Sequence, residues 1–169
     1  MKTRNLVYLA FFLAVAIILN YLESFIPMPF MGVKLGLANS VGLIVLHLYG
    51  AKYYAGFGVL RVVITALLWS GFGSAFFISM AGMVLCTLVT LLIYKLRICS
   101  IFGVSVIGAI FHGLGQIIMV AILYQTTYIV TYVLIMTASG VISGILMALL
   151  CVLLIKRLPK MNNNKNAPE

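Results

Sequence analysis

Six apolar runs take up nearly the whole of this chain, a pattern that only a lipid bilayer accommodates. They cover residues 6–25, 35–48, 53–69, 72–94, 101–124 and 128–155. A bilayer-spanning helix needs about 20 mostly apolar residues, and most of the runs reach that length. The polar surface that a water-soluble core would require is missing. Of the 169 residues, 64% are apolar and 8% charged, against roughly 45–50% and 25% in soluble domains. The same figures exclude a disordered chain. The expected fold is all-α, a single domain of six transmembrane helices over residues 1–158. A polar, Asn-rich tail at 159–169 is expected to be disordered.

The charges are one-sided. There are 11 Lys and Arg but two acids, Glu23 and Glu169, and no Asp. Asp-rich magnesium sites and paired-carboxylate chemistry are thereby excluded. Cys86, Cys99, Cys151, His47 and His112 show no metal-ligand spacing, and an odd cysteine count argues against a disulfide framework. No phosphate-cradling glycine loop is present. The sequence therefore implies no metal, no cofactor and no catalytic residue.

The net charge of +9 reads as loop bias and not as nucleic-acid affinity. With the N-terminus inside and six helices alternating, nine basic residues fall on the cytoplasmic side. They are Lys2, Arg4, Lys52, Lys95, Arg97, Lys156, Arg157, Lys160 and Lys165. Lys34 alone falls outside, and Arg61 lies within a helix. Both termini are thus expected in the cytoplasm of a multi-pass protein of a bacterial plasma membrane. The first run follows Lys2 and Arg4, as a signal peptide would. Its A-V-A stretch (residues 14–16) lies inside the apolar run, so a retained helix is expected.

An ionisable side chain inside a bilayer is costly, about 2.5–3.5 kcal/mol for a mid-helix Arg, and usually faces a cavity or a partner. Arg61 is read either as an anion-binding group or as a structural partner of Glu23; the third possibility is a side chain snorkelling to the interface. Glu23 ends the first helix, as a solvated terminus or as a partner for Arg61, Lys34 or a substrate. Asn20 lies one turn deeper. Asn39 is placed in the outer half of the second helix. His112 and Gln116 are four apart on one face of the fifth, as packing residues or as ligand contacts. These groups are expected to converge on one outward-facing pocket for a small anionic or zwitterionic molecule, with His47 apart from it on the cytoplasmic side. Small residues mark seams. Ser139, Gly140, Ser143 and Gly144 read as helix packing within the fold, and Ala10 and Ala14 as packing or as docking to another membrane protein.

The stretch Y-L-E-S-F-I-P…G-V-K-L-G-L-A-N (residues 21–39), Arg61 in the third helix and H-G-L-G-Q (112–116) in the fifth resemble the Gx transporter family. That family is often labelled heptaprenyl diphosphate synthase component I. It is similar in turn to the substrate-binding S components of energy-coupling factor (ECF) transporters. The resemblance implies six helices, both termini inside and a pocket opening outward. It also implies an A-x-x-x-A motif that docks on the coupling subunit, matched by A-F-F-L-A (residues 10–14). A small-molecule substrate would then be bound by Arg61 and Lys34, with Glu23, Asn39, His112 and Gln116 orienting it. The partners would be the bilayer, an ECF coupling subunit and separate ATPases. The alternative is a non-catalytic membrane accessory subunit of a prenyl diphosphate synthase or of an electron-transfer assembly.

Overall fold

The computed structural model describes residues 3–26, 37–125 and 129–157. Lys34 and the tail lie outside these residues. The described chain is helical, with no strand. Helix α1 is Thr3–Glu23, α2 Leu37–Tyr49, α3 Ala51–Thr65, α4 Ser74–Leu96, α5 Ile101–Tyr124 and α6 Ile129–Arg157. A five-residue π-helical turn, Ala66–Ser70, prolongs α3. Its signature is the Gly71 N–H, which donates to the Ala66 carbonyl at 2.9 Å, five residues back.

Five helical segments are long and apolar enough to cross a membrane: Asn5–Glu23, Ala51–Ser70, Ser74–Leu96, Ile101–Tyr124 and Val133–Ile155. The second run departs from expectation. It forms a helix of 13 residues, about 20 Å long against a hydrocarbon core of roughly 30 Å. Every residue from 41 to 48 is buried. A stretch buried on every face packs mainly against protein. Among the described residues, then, there are six helices, and five of them have spanning length.

The other helices arrange themselves around α2. It packs on α1, α3, α5 and α6, while α5 lies closely against both α4 and α6. Lipid gives no hydrophobic drive for helices to associate, so small residues that allow close backbone approach decide which faces meet. A Cβ on Gly144 would lie 2.7 Å from Val106 Cα, and the Ser105 hydroxyl donates to the Gly144 carbonyl at 2.8 Å. The small-residue face of α6 is therefore its contact with α5. Ala10 and Ala14, by contrast, are exposed on α1, so they form no seam within the fold.

The described connections from α2 to α5 are short. Gly50 alone joins α2 to α3, at φ 90°, a conformation that a residue with a Cβ strongly disfavours. Arg97 and Gln125 close α4 and α5 in the left-handed region, and the Ser100 hydroxyl accepts from Gly103 N–H at the start of α5. Short links of this kind suit helices α2 to α5 that turn back on one another. Tyr8, Ile93, Tyr94, Ile101 and Ile155 share one apolar cluster, which gathers the start of α1 and the end of α6 at one end of the bundle. Glu23, Ser70 and Phe76 line a pocket toward the other end. All three cysteines are free, with Cys86 and Cys151 buried.

Candidate functional site

Arg61 sits midway along the α3 segment and is 3% exposed. Nothing at that burial snorkels to an interface. The side chain enters a pocket built from four helices, with Asn20 and Glu23 of α1, Thr65 one turn along α3, Ser79 of α4, and His112 and Gln116 of α5. The π turn supplies Ser70 to the same pocket. Glu23 is 4% exposed, which overturns its reading as a solvated helix end. Among the described residues the pocket is thus lined by one basic and one acidic side chain, Arg61 and Glu23, both buried.

The α5 face is set by chemistry that the sequence only hinted at. The Gln116 amide nitrogen donates to His112 Nε2 at 3.3 Å. Among the described residues neither His112 Nδ1 nor the Thr65 hydroxyl has a hydrogen-bond partner, and both are buried. Each unsatisfied buried group costs about 1–3 kcal/mol. Two of them in one charged pocket mark a place where a bound molecule would complete the hydrogen bonding. The free space is about 10 Å³, roughly one water molecule. Above it, Trp69 packs edge-on against Tyr21, ring centroids 5.2 Å apart, and Tyr21 against Phe25 at 5.0 Å.

The expected residues divide. Glu23, Arg61, His112 and Gln116 share this pocket. Lys34 lies outside the described residues. Asn39 lies elsewhere: its side-chain nitrogen donates to Cys86 Sγ at 2.8 Å. The Tyr54 hydroxyl is 3.6 Å and the Thr90 hydroxyl 3.8 Å from the same sulfur. The cause is the shortness of α2. Its described start lies level with Cys86, halfway along α4, so Asn39 falls at mid-depth and lines a second polar cleft with Ser105 and Gly108. His47 is buried at the other end of α2 and lines a small cleft with Tyr94, away from Arg61. Thr65 and Ser79 were not singled out from the sequence. For Thr65 a signal existed, four residues after Arg61 on the same helical face. Ser79 offered none, because serines are common in membrane helices.

The fold and the pocket define an all-helical, multi-pass membrane protein with a buried, charged cavity toward one end. The chain belongs to the heptaprenyl diphosphate synthase component I family, whose family model matches residues 12–154. That span takes in every residue of the pocket and Ala14, but not Ala10. No curated protein and no solved structure matches the chain. Among the described residues no group of three or more His, Cys, Asp or Glu is placed to hold a metal ion.

Proposed function

We propose that this protein is a membrane substrate-binding subunit for uptake of a small anionic or amphipathic metabolite, working as the S components of ECF transporters do. The observation that carries this reading is the buried Arg61 in a polar pocket where Thr65 and His112 hold unsatisfied groups. Arg61 would clamp the anionic group by charge-assisted bonds. Glu23, His112 and Gln116 would orient the remainder, and Lys34 would add a second positive charge. An isoprenoid, quinone or flavin-related compound has the required chemistry. A metabolite needs far more room than one water, so binding requires a wall to move. The least buried of the five long helices is α1, and it carries Asn20 and Glu23. Its displacement would widen the pocket.

Uptake in this reading needs energy from partners, a coupling subunit and ATPases. Ala10 and Ala14, exposed on α1, would be the docking face. Both termini would lie in the cytoplasm. The family name carries a second reading, a non-catalytic membrane accessory subunit of heptaprenyl diphosphate synthase. Asn39, apart from the pocket, would steady the α2–α4 contact under either reading. The test is mass spectrometry of what copurifies with the detergent-solubilised protein. A bound anionic small molecule supports uptake. A stoichiometric soluble synthase subunit, with no small molecule, supports the accessory role.

A further inference from the structure

A large apolar cleft among the described residues lies away from the residues that surround Arg61. It measures about 640 Å³ and runs between α1 and α6 over a floor of α2. Val7, Phe11 and Leu19 form one wall, Leu150 and Leu154 the other, and Ile44 part of the floor. The cleft exists because α1 and α6 each pack on α2 but barely on one another. We propose that it is a lipid site holding one acyl chain of an anionic phospholipid, with the headgroup at the end of the bundle where α1 begins and α6 ends.

Size, length and charge each support that occupant. From Val7 to Leu19 the cleft follows α1 for about 18 Å, close to the roughly 15 Å depth of one leaflet's hydrocarbon. The cleft's volume lies within the range of about 300–1,000 Å³ typical of small-ligand sites. Its mouth is flanked by basic positions. Arg4 precedes Val7 and Tyr8 by one turn of α1, and Arg157 follows Leu154 by one turn of α6, with Lys156 beside it. By register these positions extend the two rows that line the cleft. Basic positions beside an apolar slot between helices, at the cytoplasmic end, suit a phosphate-bearing headgroup from an anionic leaflet.

The test uses the full-length protein in nanodiscs of equal phosphatidylcholine and phosphatidylglycerol, extracted into detergent, with retained lipid counted by native mass spectrometry. Wild type should retain phosphatidylglycerol in preference to phosphatidylcholine. Arg4→Gln and Arg157→Gln should each reduce that preference about fivefold. Leu150→Trp should fill the slot and abolish retention; Val7→Trp does the same from the opposite wall, so one misfolded variant leaves the other informative. Leu92→Trp, on α4, should change nothing. Equal retention of the two lipids, or undiminished retention in both slot-filling variants, overturns the proposal. So does a copurifying polypeptide in place of lipid.

Discussion

Gly115 meets Gly82 back to back across α4 and α5: a Cβ on Gly115 would lie 2.9 Å from Gly82 Cα and 2.7 Å from the Ala81 carbonyl oxygen. The contact holds the pocket's α5 wall in place. A Cβ on Gly82 would lie 2.8 Å from Gln116 Cγ and 3.0 Å from His112 Cε1, so both pocket residues rest on a face that only glycine leaves open. Gly115→Ala is expected to force the helices apart at a cost of about 1–3 kcal/mol. Gly56→Ala serves as the control, because nothing lies within 4 Å of its added methyl. It should be neutral, or stabilise by up to about 1 kcal/mol. Thermal unfolding in detergent measures both.

Arg61 and Glu23 are expected to be coupled. Arg61→Gln removes the guanidinium that shares a buried pocket with the Glu23 carboxylate, and leaving one buried charge uncompensated typically costs about 3–5 kcal/mol. Adding Glu23→Gln should recover much of the melting temperature. Ligand binding should stay lost in the double variant, because the clamp is gone. Recovery of binding together with stability would make Arg61 a purely structural residue.

The Ala10 and Ala14 face can be tested by bulk. Ala10→Trp and Ala14→Trp place a large ring on an exposed helix face, so insertion and melting temperature should hold near wild type. Uptake driven by a coupling partner should fall sharply in both. Normal uptake in both variants rules this face out as the docking surface.

Orientation is checked with reporter fusions. A reporter after Lys160 should read cytoplasmic, and one at Gln125 or near Lys34 should read external. An external signal from Lys160 contradicts the topology.

Much of the fold was legible because a membrane helix announces itself by length and apolarity alone. The bounds of α5 coincide with its run, and α4 lies two residues further along than its run at both ends. The depth of α2 was not legible. Between Asn39 and Ser40 at one end and His47 at the other its residues are apolar, and apolarity alone does not distinguish a helix wrapped by protein from one facing lipid. Asn39 therefore gave no sign that it meets Cys86 and not the residues around Arg61. In the pocket, Arg61, Glu23, His112 and Gln116 stood out because charge and amide are rare in such a chain. Thr65 was hidden by being ordinary, and the π turn that brings Ser70 inward has no sequence signature of its own.

The central claim is that the Arg61 pocket holds an anionic metabolite. Small molecules released by denaturing wild-type, Arg61→Lys and Arg61→Gln protein, matched for folded amount, measure it most directly. Wild type should release a defined anionic compound near one per chain. Arg61→Lys keeps the charge but loses the planar fork, and affinity should fall roughly ten- to hundredfold, the equivalent of one charged hydrogen bond of about 1.5–3 kcal/mol. Arg61→Gln should release almost none. The same compound in equal amount from all three proteins, or none from wild type, would contradict the account.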